Sequence, residues 1–190
     1  MAIPLKQSFK KRSALIKTIR DFFYDRGVIE VTTPTLTSLP ISDVHIDSIS
    51  VSVNEGIGKA NTLYLHTSPE IEMKRLLAQG SGDIFQICSV YRDNEYGRRN
   101  FNEFSMLEYY RLDFDMHRLM DEVAELINAL SESQPVIKMS YNEAFVRYAG
   151  IDILQTDFDA LKNCAKSHGL SVDFRWIEDL QMLLFVHFVE

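Results

Sequence analysis

Two strand-like runs joined by a short charged segment constrain the fold of this chain more than any other feature. They flank the interval from Arg92 to Glu103, in the stretch DIFQICSVYRDNEYGRRNFNEFSMLEYYRL from Asp83 to Leu112. Two extended runs around a polar turn predict an antiparallel hairpin. Arg92 closes the first run, and Arg98 and Arg99 lie in the turn, so the hairpin tip offers positive charge to a phosphate. A solvated hairpin tip has the same composition, and this pattern alone leaves both interpretations open.

The two-residue period of a strand divides the second run into two faces. One face carries Phe104, Met106, Glu108, Tyr110 and Leu112, and the other carries Ser105, Leu107, Tyr109 and Arg111. Glu108 therefore lies in the middle of a largely apolar face. A buried carboxylate must meet a cation or become protonated. The ammonium group of a ligand and an Arg or Lys of a neighbouring strand both satisfy this requirement, and the sequence does not decide between them.

Composition and charge narrow the class of protein. The chain has 190 residues, 46% of them hydrophobic and 25% charged, which is typical of a soluble globular domain. No apolar run approaches the roughly 20 residues that a membrane helix needs. The net charge is −7, but residues 1–100 hold 13 basic against 11 acidic side chains and residues 101–190 hold 7 against 16. Only the first half is suited to anionic ligands.

Two cysteines and five histidines form no pattern typical of a metal site, so no metal-ligating residue is predicted. The sparse cysteine usage is typical of a reducing compartment, and we expect the protein in the cytoplasm.

The N-terminal segment predicts a helix followed by a strand. Apolar side chains recur every three or four residues from Phe9 to Phe23, and Gly27 stands where a helix C-cap is expected. Val28–Thr32 is rich in β-branched residues and reaches Pro34, which ends the predicted strand. Basic residues also cluster along the helix, and they form either a solvated face or a patch for nucleic acid or an acidic protein: Lys6, Lys10, Lys11, Arg12, Lys17 and Arg20.

The segment between this strand and the central hairpin predicts a second hairpin and a helix. Alternating residues from Ile46 to Val53 and an extended run from Thr62 to His66 flank a glycine-containing turn. Ser68 is the predicted N-cap of the following helix and Pro69 its first residue, and the helix is expected to end near Ala78.

The last third of the chain is predicted to be helical. Asp115 caps a helix whose apolar stripe runs from Met116 to Leu130, and the methionines of that stripe are expected in the core. Ser140-x-x-Glu143 forms a capping box, and Thr156-x-x-Asp159 resembles a second one. The run from Leu180 to Glu190 is apolar and has nothing after it to pack upon, so we expect poor solubility or association through it.

Three segments resemble the motifs of one known family. Tyr91–Glu95 and Asn102–Tyr110 together resemble motif 2 of class II aminoacyl-tRNA synthetases of the lysine type. Phe9–Pro34 resembles motif 1, the dimer-forming element, and Thr67–Glu70 resembles the substrate loop between them. The resemblance implies an α+β fold with an antiparallel sheet flanked by helices. It divides the chain into a dimerisation element (1–36), a substrate loop with motif 2 (62–114) and a helical region (115–190).

Within that superfamily the chain is most similar to the elongation factor P lysine ligases. Met73–Leu77, the pair Gly97–Arg98 and the helix from Met116 resemble that family. Motif 1 lies almost at Met1, without the oligonucleotide-binding barrel that precedes it in a lysyl-tRNA synthetase, so tRNA is not an expected partner. The expected partners are lysine or β-lysine, elongation factor P and a second copy of the chain. The chain is not expected to bind a membrane.

The resemblance implies a two-step reaction that uses ATP and Mg²⁺. ATP and a lysine-type amino acid give an aminoacyl-adenylate, and the acyl group then passes to a lysine of elongation factor P. Arg92 would be the catalytic residue that binds the α-phosphate. Asp93 and Asn94 would line the nucleotide and Phe104 would stack on adenine. The residues that would hold the amino acid are Ser68, Pro69, Glu70, Glu108 and Tyr110.

The chain also departs from the family pattern. Asn94 stands where the family has glutamate, and Phe101 and Asn102 replace an asparagine and a proline. Asn102 is expected to loosen the turn, and Phe101 cannot make a polar contact with the nucleotide. Motif 3 and the strands expected to carry the Mg²⁺ ligands do not occur before Glu190, so the domain is expected to be incomplete.

Three functions remain open at this point. The chain is an ATP-dependent lysine ligase in incomplete form, an inert paralogue that serves as a dimerising or regulatory binding module, or a different ligase of the superfamily, such as an ammonia-using asparagine synthetase.

Overall fold

The protein is described from a computed structural model, in which residues 4–54, 56, 58–95, 97, 100–131 and 136–189 are described. Arg98 and Arg99, predicted to lie in the central turn, fall outside these residues. The chain divides into two compact units, Met1–Gln134 and Pro135–Glu190. The elements of the first unit are α1 Leu5–Tyr24, β1 Ile29–Glu30, β2 Leu36–Thr37, β3 Ser50–Asn54, β4 Ala60–Leu65, α2 Glu70–Ala78, β5 Ile84–Tyr91, β6 Glu103–Tyr110 and α3 Met116–Leu130. Those of the second are α4 Tyr141–Ala149, α5 Phe158–Ser167 and α6 Ile177–Phe188.

Helix α1 ends in the glycine cap that the sequence predicts. The N–H of Gly27 donates to the Tyr24 carbonyl at 3.0 Å, and the N–H of Val28 donates to the Phe23 carbonyl at 3.0 Å. These two bonds form a Schellman motif, which requires a left-handed residue at its centre. Gly27 has φ 70°, and it turns the chain from α1 into β1.

The central hairpin of β5 and β6 is confirmed. The strands are antiparallel from Ile84, opposite Tyr110, to Tyr91, opposite Glu103. Strand β1 pairs with β5 in parallel, so the sheet is mixed and not wholly antiparallel as the resemblance implied. Strand β1 is also shorter than predicted.

One face of this sheet packs on α1 and α3. Phe23 is fully buried and stacks on Phe85, with ring centroids 4.7 Å apart, and its ring lies 4.8 Å from that of Tyr109. Leu107 packs against the same cluster. Tyr109 and Leu107 alternate with Glu108 along β6, so the opposite face of the sheet carries Glu108, as the two-residue period predicts.

The orientation of α3 differs from the prediction. Both methionines of α3, Met116 and Met120, are exposed and not core residues, and Met116 is 66% exposed. Leu126 and Glu122 are buried instead, at 7% and 5% exposure. The reason is electrostatic, since Glu122 Oε1 lies 3.3 Å from Arg111 Nη2 and 3.9 Å from Arg26 Nε. These two arginines hold a carboxylate in the interface of α3 with the sheet and α1.

A second sheet of order β2-β4-β3 is antiparallel, and its β3–β4 hairpin is confirmed. It leads into α2, which begins one residue later than predicted. Pro69 is the N-cap residue, and the Ser68 hydroxyl accepts from the N–H of Glu70 at 3.3 Å without capping the helix. Helix α2 ends at Ala78, as predicted. None of the helices in the described ranges is long and apolar enough to cross a bilayer.

The second unit is a cluster of three helices. Ser140 and Glu143 form the predicted capping box of α4. The predicted box at Thr156 is wrong, because Asp157 caps α5 by accepting from the N–H of Ala160 at 2.9 Å. The Thr156 hydroxyl instead donates to the carbonyl of Asp152 at 2.5 Å, which removes it from the cap.

The apolar C-terminal run has packing partners within this unit. Leu180 and Leu184 of α6 are fully buried, and they cluster with Phe145 of α4 and Leu161 of α5. Helices that precede α6 in the sequence therefore cover part of the run, and the expected poor solubility or association through it stays a prediction.

Candidate functional site

The loop between β5 and β6 is closed by a pair of hydrogen bonds at its base. The N–H of Arg92 donates to the Asn102 carbonyl at 2.9 Å, and the Asn102 side-chain amide donates to the Arg92 carbonyl at 2.9 Å. The prediction that Asn102 loosens this turn is wrong. Its side chain supplies a second cross-link that a proline has no donor to make.

The Arg92 side chain lies between the hairpin and the segment before α2. Its Nε donates to the Thr67 carbonyl at 3.4 Å, and its guanidinium lies 5.2 Å from the centroid of the Phe104 ring. A guanidinium at this distance from an aromatic ring is attracted to it. Arg92, the residue predicted to bind the phosphate, therefore lies next to Phe104, the residue predicted to stack on adenine.

A cavity of about 300 Å³ opens at this end of the hairpin. It is lined by Arg92, Glu95, Asn100, Phe101 and Phe104. Arg92 supplies positive charge, the two aromatic rings supply flat apolar surface, and the Glu95 carboxylate accepts from the Asn100 side-chain amide at 3.3 Å. Such a lining suits a planar group attached to an anion.

The other end of the same sheet face carries the predicted amino-acid ligands. The Tyr110 hydroxyl donates to Glu108 Oε1 at 2.7 Å. Burial raises the pKa of Tyr110, and the hydrogen bond to Glu108 and the charges of Glu108 and Glu70 raise it further. Tyr110 therefore remains a hydrogen-bond donor at neutral pH, and Glu70 is close enough for its charge to act on it.

The sequence left open whether Glu108 pairs with the ammonium of a ligand or with an Arg or Lys of a neighbouring strand, and the residues around Glu108 bear on that choice. Directly opposite Glu108 on β5 stands Gln86, which is neutral. Over the described ranges, no Arg or Lys forms a salt bridge with Glu108. An Arg or Lys of the neighbouring strand is thus not its partner, and the Glu108 carboxylate is flanked by a tyrosine donor and a glutamine.

Asp93 and Asn94 follow Arg92 and are held by a residue that sequence reasoning missed. The N–H of Asp93 donates to the Asp47 carbonyl at 2.8 Å, and the Asn94 amide donates to Asp47 Oδ2 at 3.0 Å. Asp47 precedes β3, far from the loop in sequence, and no local pattern marks it. The side-chain nitrogen of Asn94 is therefore engaged by the protein, and a contact of Asn94 with the nucleotide stays a prediction.

Ser68 and Pro69 follow Thr67 in the sequence, but they do not line the cavity at Arg92. Ser68 lines a separate cavity of about 290 Å³ between residues 37–42 and α2, together with Thr67 and His66. Pro69 is fully buried under the start of α2. The structure thus groups Arg92 with Phe104, and Glu108 with Tyr110 and Glu70, while Ser68 faces the second cavity.

Comparison with known proteins assigns the chain to a family. The family model described as "tRNA synthetases class II (D, K and N)" matches residues 3–179, most of the chain. The chain belongs to this class II tRNA synthetase family. The matched residues include the cavity at Arg92 and Phe104 as well as the pair formed by Glu108 and Tyr110.

The curated relatives of this class II family member are ligases. It is 44% identical over 168 residues to the elongation factor P–(R)-beta-lysine ligase of Haemophilus ducreyi, covering 88% of this chain and 51% of the relative. It is 44% identical over 162 residues to the ligase of the same name from Edwardsiella ictaluri, covering 85% and 50%. Against that of Salmonella typhi it is 43% identical over 175 residues, covering 92% and 54%. The predicted resemblance is confirmed, and the chain spans about half the length of these relatives.

Mg²⁺ is the ion implied by the resemblance. Within the part of this class II family member that the structure describes, no three His, Cys, Asp or Glu side chains form a group that could hold a metal ion. Two acidic residues at the loop base, Asp47 and Asp93, accept amide hydrogens from Asn94. The described residues do not fit a metal site, and no step of the reaction is assigned here to a metal.

Proposed function

We propose that this chain contributes the nucleotide and amino-acid cleft of an ATP-dependent ligase that activates a lysine-type amino acid and transfers it to a lysine of elongation factor P. One observation carries the proposal: Arg92 and Glu108 lie at opposite ends of one sheet face. Phe104 and Glu108 are four residues apart on β6, which corresponds to roughly 13 Å at the rise of a strand. An extended ligand with an anionic and a cationic end fits this distribution of charge.

The amino-acid end of the cleft selects an ammonium group. The Tyr110 hydroxyl gives its hydrogen to Glu108 Oε1, so Oε2 of the carboxylate and the lone pairs of the phenol oxygen are free to accept. The charge of the Glu70 carboxylate also acts on Tyr110, and this carboxylate forms an exposed salt bridge with Lys74 at 2.5 Å. A charged donor on a carboxylate forms a hydrogen bond about twice as strong as a neutral one. This arrangement favours lysine over an uncharged analogue, and the names of the relatives favour (R)-β-lysine.

The nucleotide end positions two anions that must react. In the first step an oxygen of the amino-acid carboxylate attacks the α-phosphorus, the bond from that phosphorus to the bridging oxygen breaks, and pyrophosphate leaves. The Arg92 guanidinium lies where it can contact both anions and reduce their repulsion. Its Nε is held by Thr67, which leaves the terminal nitrogens for the ligand. Phe104 and Phe101 offer their rings to the base.

The second step moves the acyl group to a protein amine. The amine nitrogen of a lysine in elongation factor P attacks the acyl carbon, the bond from that carbon to the adenylate oxygen breaks, AMP leaves, and the new amide nitrogen loses a proton. The relatives' names support this acceptor. A modification of a translation factor belongs in the cytoplasm, which agrees with the two free cysteines, Cys88 and Cys164.

A homodimer is part of the proposal. Helix α1 exposes the apolar side chains of Leu5, Phe9, Leu15 and Tyr24, and β1 exposes Ile29 at the edge of its sheet. Leu5 and Phe9 are one turn apart and lie on the same side of the helix, and exposed apolar side chains that lie together are typical of an interface. Sedimentation of the chain should show a dimer, and Phe9→Asp should shift it to monomer. A monomeric unaltered chain would contradict this part.

Binding of a non-hydrolysable lysyl-adenylate analogue, measured by calorimetry, tests the cleft directly. Glu108→Gln should weaken binding at least about tenfold, since a hydrogen bond to a charged group contributes ~1.5–3 kcal/mol. The matched control is Glu103→Gln, which makes the same change on the same strand at an exposed position. A norleucyl-adenylate analogue keeps the α-ammonium but lacks the side-chain ammonium that Glu108 is proposed to bind, and its affinity should not respond to Glu108→Gln.

Two results would refute the proposal. One is equal affinity of the unaltered chain for the lysyl and norleucyl analogues. The other is an equal loss of lysyl binding in both glutamate variants. Lysine-dependent exchange between ATP and pyrophosphate then tests activity, and exchange by this chain would exclude the inert binding module.

A further inference from the structure

Asp47 links the second sheet to the loop that begins at Arg92. It stands three residues before β3 and forms an isolated antiparallel bridge with Asp93. The Asp47 carbonyl accepts from the N–H of Asp93 at 2.8 Å, and its carboxylate accepts from the side-chain amide of Asn94 at 3.0 Å. One residue therefore holds both residues that follow Arg92, through its main chain and through its side chain.

Further hydrogen bonds cross the base of the loop, and together with those of Asp47 they form a brace that consists of Asp47, Asp93, Asn94 and Asn102. Asp93 Oδ1 accepts from the N–H of Asn94 at 2.9 Å and lies 3.4 Å from the side-chain nitrogen of Asn102. The same nitrogen of Asn102 donates to the Arg92 carbonyl at 2.9 Å. Asn94 has φ 59°, in the left-handed region that Asn tolerates better than most residues. A local bond to Asp93 and a distant bond to Asp47 together fix this unusual backbone.

The charges around the brace matter because an anion is expected beside them. Asp47 and Asp93 are two carboxylates at the base of the loop, and unpaired they would repel each other and an incoming phosphate. The amides of Asn94 and Asn102 occupy their acceptor sites. The brace thus keeps both carboxylates bonded to neutral donors and leaves the guanidinium for the ligand.

We propose that Asp47 is a positioning residue for Arg92: by holding Asp93 and Asn94 it fixes the loop base from which the guanidinium projects. The role of this positioning in catalysis rests on the proposed function, whereas the brace itself does not. An arginine held in place before the ligand arrives loses less freedom on binding, so the effect appears in ligand affinity.

Four variants test the assignment. Asp47→Ala removes the side-chain acceptor and should lower the affinity for a lysyl-adenylate analogue about fivefold, as for one exposed hydrogen bond. Asn94→Asp places two carboxylates face to face and should lower affinity by about tenfold. Combining Asp47→Asn with Asn94→Asp exchanges donor and acceptor, and this variant is assessed by hydrogen exchange alone because Asn94 is a predicted nucleotide-binding residue. Asp43→Ala is the control, because Asp43 lies in the same segment and accepts only from the N–H of His45, at 2.8 Å.

A second readout needs no ligand. Hydrogen exchange of the Asp93 and Arg92 amides, followed by NMR in the free protein, should be about tenfold faster in Asp47→Ala and slow again in the reciprocal double variant. The melting temperature should stay unchanged in all four variants, because the bond between Asp47 and Asn94 is exposed and far from the buried cluster around Phe23.

The two readouts separate the positioning role from the proposed function. If the unaltered chain binds no adenylate analogue, the proposed function fails, and the exchange rates alone decide whether Asp47 positions the loop. Unchanged exchange in Asp47→Ala overturns the assignment. So does faster exchange in Asp47→Ala with unchanged affinity in a chain that binds the analogue, since Asp47 would then brace the loop without positioning Arg92.

Discussion

Replacing Phe23 by alanine should destabilise the first unit by about 4 kcal/mol, because Phe→Ala in a core costs ~3–5 kcal/mol. Phe23 is fully buried, and its ring has three aromatic neighbours. It stacks on Phe85 at 4.7 Å, tilts against Tyr109 at 4.8 Å and meets Phe22 edge-on at 5.3 Å. Such pairs add ~0.5–1.5 kcal/mol each beyond area burial, which places this residue in the upper part of the range.

The assay must report on the first unit. The only tryptophan of the chain, Trp176, belongs to the second unit, so its fluorescence would follow the wrong transition. Hydrogen exchange of the amides of β5 measures the opening free energy of the sheet directly. In urea, with a slope of about 2 kcal/mol per molar, the midpoint of the first unit should fall by about 2 M.

Phe101→Ala is the matched control for this measurement. Phe101 is 65% exposed in the loop, so the same substitution there should change stability by less than about 0.5 kcal/mol. A loss below about 2 kcal/mol for Phe23→Ala would refute the reasoning, because the ring would then not bridge α1 and the sheet. Equal losses in the two variants would refute it as well.

Three further outcomes follow from the contacts described. Asn102→Ala should lower the free energy of unfolding by about 1 kcal/mol and speed hydrogen exchange of the Arg92 amide, because the cross-link at the loop base is lost. Unchanged exchange in this variant would instead support the prediction of a loose turn. Asp157→Ala should destabilise the second unit by about 1 kcal/mol in urea titrations followed by tryptophan fluorescence, and Thr156→Ala by clearly less; the reverse order would reinstate the predicted cap. Burial raises the pKa of Glu122 above its ordinary value of 4.5 against the opposing charges of its two arginines. Its protonation therefore stabilises the fold fully below pH 4.5, and this contribution is lost as the pH rises through the raised pKa. Glu122→Gln should remove that pH dependence from unfolding titrations, and an unaltered profile would contradict the shift.

Features that depend on a few consecutive residues could be predicted from the sequence. The hairpin of β5 and β6, the division of β6 into two faces, the Gly27 cap and the capping box at Ser140 all follow from periodicity or from bonds spanning three to five residues. The grouping of Glu108 with Tyr110 was predictable for the same reason, because residues two apart share a face of a strand.

Other features depend on which distant segments meet. The sequence predicted α3 with its methionines in the core, but tertiary contacts with Arg111 and Arg26 turned Glu122 inward. It predicted a loose turn at Asn102, where the base of the loop has two cross-linking bonds.

By itself, then, the sequence determined the helices, the two hairpins and the family to which the chain belongs. Only the tertiary structure decided that Gln86, and not an arginine, lies opposite Glu108, and that Asp47 holds Asn94. The physical reason is the range of the interactions. Periodicity and caps act within one element, whereas a hydrogen bond between residues 47 positions apart exists only once two sheets have packed.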